Sequence, residues 1–221
     1  TSGGASQRIK GSRTYGYFGG GVVSSSNKKN TIDRIDFSNE TTSAPGNNLS
    51  QARERLAAVS SSSYGYFVGG YGFSPAFPSQ RDRVDRIDFS NDTVSEPGNN
   101  LPEGRSRLAA CSSNSYGYFG GGNGPTETVE RIDFSSETFS VPGNNLPQAR
   151  RQLAAVSSNS YGYFGGGDAP PDVTTVDRID FSNETTSAPG NNLPQARRDL
   201  AAFSSSSYGY FGGGRNPVES P

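Results

Sequence analysis

The residues with chemical reach in this chain are its carboxylates, hydroxyls and tyrosines and a single cysteine; none of its 221 residues is histidine. That removes any Ser-His-Asp triad, the usual general base and the commonest metal ligand. Carboxylates alone can hydrolyse glycosides, and 21 acids are present. They recur in register, however. Asp36, Asp88, Asp133 and Asp180 each close the same Arg-Ile-Asp tripeptide, whereas an active site needs one unrepeated constellation. Cys111 follows Leu-Ala-Ala where the parallel segments carry Val59, Val156 and Phe203, so it reads as apolar filler. One cysteine also excludes a disulfide framework within the chain and a cysteine-rich zinc site. The Gly-Gly-Gly runs lack the Lys and Ser/Thr of a phosphate-binding loop and follow a strand without opening a helix. The expectation is a chain that is not an enzyme and holds no cofactor or metal.

Other features point to surfaces. Asn39, Asn48, Asn91 and Asn183 each begin an Asn-x-Ser/Thr acceptor sequence for N-glycosylation, and three of them share one place in the repeat. A formal charge of −1 provides no field to draw in nucleic acid or an anionic membrane. No apolar run approaches the roughly 18 residues of a membrane helix. The Arg-rich segments are balanced by acids, as on a solvated surface.

These residues are positioned by a repeat. Tyr-Gly-Tyr-Phe recurs at Tyr15, Tyr64, Tyr116, Tyr161 and Tyr208, a period of roughly 45 to 52 residues that suits the blades of a propeller. A hydrophobic content of 30% would be low for a packed domain, but 13 Phe and 11 Tyr at fixed places argue for order. Each unit reads as four strands, a to d. Strand a is Leu-Ala-Ala-Val, small enough for a crowded inner position. A Ser/Asn turn leads to strand b, the aromatic run, in which Tyr161 and Tyr163 share one face and Phe164 takes the other. In strand c, Ile179 and Phe181 oppose Arg178 and Asp180, and the Arg and Asp can pair with each other or with a neighbouring unit. Strand d ends at Pro-Gly-Asn-Asn, a turn. No helical periodicity competes.

The Gly-Gly pair closing strand b, the acidic turn after strand c and the repeated arginines Arg53, Arg105, Arg150 and Arg197 resemble the kelch repeat family across nearly the whole chain. Where kelch units carry a Tyr in strand c and a Trp seven residues later, this chain has Ile35, Ile87, Ile132 and Ile179, and no Trp. The Tyr-Gly-Tyr-Phe-Gly-Gly-Gly form is similar to kelch-like repeats of uncharacterised environmental microbial, phage and algal-virus proteins. The resemblance implies an all-β, kelch-like β-propeller of four-stranded antiparallel blades, four full and a partial fifth. The family's copper-radical oxidases require His ligands, which this chain lacks. The blades fall at about 7–49, 50–101, 102–146, 147–193 and, in part, 194–214, with a tail at 215–221, all in one domain.

Strand b occurs five times but strands c and d four times, and Ser6–Arg13 replaces the Leu-Ala-Ala strand of the first unit. Open flanks need covering, by ring closure, by strands from a neighbouring subunit or by further blades. The expected function is structural: a non-enzymatic, extracellular or virion-surface protein that packs with copies of itself into a fibre or appendage, with glycans possible. The alternative is a discrete carbohydrate- or protein-binding propeller, an adhesin or scaffold. Specificity is expected in the longest b-to-c loop, where Tyr71, Phe73, Phe77, Arg81 and Arg83 form a candidate contact surface.

Overall fold

The computed structural model describes residues 14–24, 27–73 and 78–216, and every regular element among them is a β-strand. The first repeat holds β1 (Tyr15–Gly19), a small hairpin of β2 (Val22–Ser24) and β3 (Asn27–Lys28), then β4 (Ile32–Asp36) and β5 (Thr42–Ser43). In the second are β6 (Arg53–Glu54), β7 (Ala57–Ser60), β8 (Tyr64–Val68), β9 (Tyr71–Phe73), β10 (Pro78–Gln80), β11 (Val84–Asp88) and β12 (Val94–Ser95). The third contains β13 (Ala109–Ser112), β14 (Tyr116–Gly120), β15 (Val129–Asp133) and β16 (Phe139–Ser140), and the fourth β17 (Ala154–Ser157), β18 (Tyr161–Gly165), β19 (Val176–Asp180) and β20 (Thr186–Ser187). The fifth has β21 (Ala201–Ser204) and β22 (Gly209–Gly212).

Three repeats are complete antiparallel meanders in the order a-b-c-d: β7-β8-β11-β12, β13-β14-β15-β16 and β17-β18-β19-β20. The expected fourth complete unit falls partly outside the described residues. The first repeat shows three strands, β1-β4-β5, and the segment that would supply its strand a lies outside the described residues. Strand d is also shorter than its sequence suggested, two residues in each case, because a left-handed residue before it and the Pro-Gly turn after it leave little extended chain.

The core is a series of interfaces between successive sheets. One apolar cluster joins Ile32 and Leu49 of the first repeat to Leu56, Phe67 and Ile87 of the second. Another joins Val59, Tyr66 and Val84 to Leu108, Ala110 and Phe119, and a third joins Cys111, Tyr118 and Val129 to Leu153, Ala155 and Phe164. Strands β7, β13, β17 and β21 stand side by side along one edge of the array. Ala and Val there let the strands approach closely.

The glycines of the aromatic motif explain themselves at these interfaces. The first of them, Gly117 or Gly209, receives Val59 or Val156 of the preceding strand a at 2.7 Å from where a Cβ would stand. The glycine closing strand b, as in Gly120 and Gly165, receives the ring of Phe164 or Phe211 of the following repeat. The next two have positive φ and tuck under the following repeat's arginine: Gly122 N–H donates to Arg150 C=O at 3.0 Å and Gly167 N–H to Arg197 C=O at 2.9 Å.

Candidate functional site

Each interior interface is closed by the same clasp. The second Tyr of strand b and the Arg of strand c in one repeat hold an acid from the c–d turn of the next. Tyr66 Oη donates to Glu137 at 2.9 Å and Arg86 pairs with the same carboxylate at 2.9 Å. Tyr118 and Arg131 hold Glu184 at 3.0 and 2.6 Å, while Tyr17 and Arg34 hold Asp92. The Tyr ring stacks on the Phe that ends the next repeat's strand c, as in Tyr66 on Phe134 with centroids 5.5 Å apart and Tyr118 on Phe181 at 5.2 Å. The arginine lies over the first Tyr of its own motif, Arg86 over Tyr64 at 4.5 Å and Arg131 over Tyr116 at 4.4 Å. Burial and then the adjoining acid push the Tyr17 and Tyr66 phenols far above their ordinary range; for Tyr118 burial and the Glu184 charge do the same. These hydroxyls therefore stay protonated as donors. Tyr118→Phe is expected to lower stability by about 1 kcal/mol, and the loss should vanish in a Glu184→Ala background, which leaves the hydroxyl no acceptor there, if the hydrogen bond is its source.

The acid of the clasp is held in a left-handed conformation, with φ of 59° at Asp92, 57° at Glu137 and 60° at Glu184. The repeated aspartates shape that turn. Asp36, Asp88, Asp133 and Asp180 accept hydrogen bonds from the N–H and Oγ of Ser38, Ser90, Ser135 and Ser182 at 2.6 to 2.8 Å. These bonds hold the carboxyls below their ordinary range. Strand c therefore divides its charges: the arginine reaches the neighbouring repeat and the aspartate stays within its own turn.

The repeated arginines are structural in another way. Arg53 pairs with Asp85 at 2.7 Å and Arg150 with Asp177 at 2.6 Å, and Arg105 pairs with Glu130, all in the interior. Among the described residues Arg197 meets only the Gly213 carbonyl, at 3.4 Å.

The acceptor asparagines Asn39, Asn48, Asn91 and Asn183 are exposed. In three of them Oδ1 accepts from the Thr two residues on, leaving Nδ2 outward of the turn's own bonds. The candidate contact loop is split between roles. Tyr71 lies beneath the Lys28 ammonium at 5.3 Å, and Arg83 pairs with Glu96 at 2.5 Å. Arg81 is half-buried beside Gly72. Phe73 belongs to β9, and Phe77 lies outside the described residues. Cys111 is fully buried and its thiol is pushed far up by that burial. Among the described residues no three His, Cys, Asp or Glu gather as a metal cluster, and no helix is long and apolar enough to cross a membrane.

What sequence reading missed is that, among the described residues, the clasp is incomplete in the first and fourth repeats. In the fourth repeat Tyr163 and Arg178 have the geometry of their counterparts, with Arg178 over Tyr161 at 4.5 Å, but no acid pairs with either among the described residues. Tyr163 faces a cavity of about 260 Å³, bounded by Val156, Gly209 and Phe211, where interior interfaces hold the stacked Phe. In the first repeat the opposite half is uncovered: Phe37 is 50% exposed, and Glu40 is exposed with the same left-handed φ of 59°. Recurrence of Tyr, Arg, Phe and acid at fixed spacing was the available signal; a pair between neighbouring units was expected, but not that the c–d turn acid and the second Tyr complete it.

No family model matches this chain, and no curated protein matches it. Solved structures do: 324 chains match, among them YjhT, with a TM-score of 0.75 at 14% identity over 96% of this chain and 77% of that one. At that identity the likeness is one of fold, and it extends over almost the whole array of sheets.

Proposed function

We propose that this chain is a non-enzymatic assembly module, a kelch-like propeller array whose first repeat engages the fifth repeat of another copy. The observation that carries the reading is the complementarity of the two open clasp halves: Phe37 and Glu40 at one end, Tyr163, Arg178 and the cavity beside Gly209 at the other. Among the described residues neither half meets the other within one molecule. Further support comes from the strands. Tyr15–Gly19 and Tyr208–Gly212 have the same sequence, Tyr-Gly-Tyr-Phe-Gly. β22 can therefore replace β1 against β4 in unchanged register, bringing Phe37 over Gly209 as it now lies over Gly16. Exchange of an identical element between copies is a low-cost route to association. Exposed Phe203 and Tyr208, at 61% and 70%, would be covered in the process. The proposed setting is extracellular or a virion surface, where the exposed acceptor asparagines could carry glycans.

Analytical ultracentrifugation tests the reading. The parent chain is expected to show concentration-dependent association, Glu40→Arg and Arg178→Glu each to abolish it, and the double variant to regain it, since the pair is then restored with its charges exchanged. A parent chain that sediments as a monomer at every concentration, or a double variant no better than the singles, sinks the proposal. A second reading, a discrete binding propeller, is favoured by a separate group of residues at the inner edge of the array.

A further inference from the structure

Ahead of each strand a, the segments Arg53-Glu54-Arg55-Leu56, Arg105-Ser106-Arg107-Leu108, Arg150-Arg151-Gln152-Leu153 and Arg197-Arg198-Asp199-Leu200 keep their outer residues and vary the inner two. The constant arginine anchors its sheet or hairpin and the constant leucine packs inward. The third residue is different in kind. Arg55, Arg107, Gln152 and Asp199 all have left-handed backbones, with φ of 57° to 61°. They are joined in sequence by backbone hydrogen bonds of 2.9 Å, Arg107 N–H to Arg55 C=O, Gln152 N–H to Arg107 C=O and Asp199 N–H to Gln152 C=O. The bonds consume main-chain groups and leave the four side chains to line a cavity of about 60 Å³ with the four leucines. A framework repeated four times thus presents two arginines, a glutamine and an aspartate at equivalent positions, an unequal set as a site requires.

The charges around this cavity do not cancel locally. Asp199 is occupied by Gln152 Nε2 at 2.7 Å and by Arg215 at 2.9 Å. Arg151 is paired with Asp168 at 2.9 Å and Arg198 with Asp172 at 2.9 Å. Arg55 has only a 3.6 Å approach to Glu54, which it shares with Lys28 at 3.5 Å, and Arg107 has one 3.4 Å hydrogen bond to Asn123 Oδ1, an oxygen also taken by Arg151 at 2.9 Å. Burial, followed by the neighbouring Arg55, Arg151 and Arg215 charges, holds the Arg107 guanidinium below its ordinary value. Two guanidinium groups on adjacent repeats are therefore without a full counter-charge at the mouth of a small, leucine-floored cavity.

We infer that this mouth is a binding site for a small monocarboxylate, its two oxygens taken by Arg55 and Arg107 and its carbon skeleton resting on the leucines. A planar carboxylate matches the donor fork of a guanidinium. The cavity is of the size of such a head group, and Asp199 on the rim disfavours a dianion such as phosphate. The leucines supply the apolar contact that a hydrated inorganic anion cannot use.

Titration of the ¹⁵N-labelled full chain tests the site, with acetate and inorganic phosphate as probes and the arginine Nε–H resonances as readout. Acetate is expected to give saturable shifts at Arg55 and Arg107, with phosphate clearly weaker. Arg55→Gln and Arg107→Gln should each weaken acetate binding by about tenfold or more, as expected for loss of a charge-assisted hydrogen bond, while the rest of the spectrum shows the fold retained. Arg107→Lys, which keeps the charge and loses the fork, should fall between. Linear, unsaturable shifts, or shifts equally strong in both Gln variants, overturn the site, and phosphate binding as tight as acetate overturns the assignment of its ligand. The Glu40→Arg variant is expected to bind acetate like the parent, so failure of the site and failure of the assembly reading are separable.

Discussion

Arg150→Ala is expected to destabilise the fold by about 3–5 kcal/mol at neutral pH, the cost of leaving a buried charge without its partner. Arg150 is fully buried, pairs with Asp177 at 2.6 Å and donates to the Phe164 carbonyl at 3.1 Å. Its own carbonyl receives Gly122 from the preceding repeat, so it anchors its own sheet and the joint at once. Burial already raises the Asp177 carboxyl and lowers the Arg150 guanidinium, with the pair's mutual attraction opposing both. Removal of the arginine raises Asp177 further. A carboxyl whose folded pKa lies above its unfolded value contributes stability below the unfolded pKa and loses it as pH rises through the folded one. The deficit of Arg150→Ala relative to the parent should therefore shrink as the pH is lowered toward 4. Urea midpoints for both chains across that range check this, and a deficit that grows in acid contradicts it. Arg150→Met with Asp177→Leu should recover most of the loss, because an apolar pair leaves no charge buried.

The second large effect is expected at Gly121. It has φ of 71°, and a Cβ there would stand 2.5 Å from the Arg150 carbonyl oxygen and 2.9 Å from Leu153. Gly121→Ala is expected to cost more than the ~1–2 kcal/mol that a left-handed alanine alone imposes, since the following repeat must move away as well. Gly143 provides the comparison: its φ is 94°, with nothing within 4 Å of its would-be Cβ. Gly143→Ala should show the backbone contribution alone. Equal thermal shifts in the two variants would mean that the interface yields freely at Gly121.

The all-β class and the a-b-c-d order were legible because Gly, Pro and alternation mark strands locally. Strand c was read correctly as a division of faces, with Ile179 against Arg178, because period-two alternation requires no knowledge of neighbours. A pair with a neighbouring unit was among the readings of that arginine, but which acid it meets was not legible. Arg131 meets Glu184, which lies 53 residues on, and nothing in one unit says that its acid belongs to the unit before. The same holds for the buried arginines, whose carboxylates occupy strand c rather than the adjacent loop. The candidate contact loop stood out by its length and aromatics, yet the side chains that differ between equivalent positions of the array lie in the short segments before strand a, where Arg55, Arg107, Gln152 and Asp199 are small variations within a copied segment.

The clasp has a consequence for how such a chain can change over generations. Every closed joint draws its Tyr and Arg from one repeat and its Phe and acid from the next, so deletion or duplication of one whole interior repeat rebuilds a joint of the same composition. Recombination between the near-identical coding segments can therefore alter the number of repeats without a compensating substitution. A cut out of phase with the unit would separate a Tyr–Arg half from its acid and be removed by selection. Repeat number should vary in steps of one unit among descendants of this sequence, while the clasp residues stay constant.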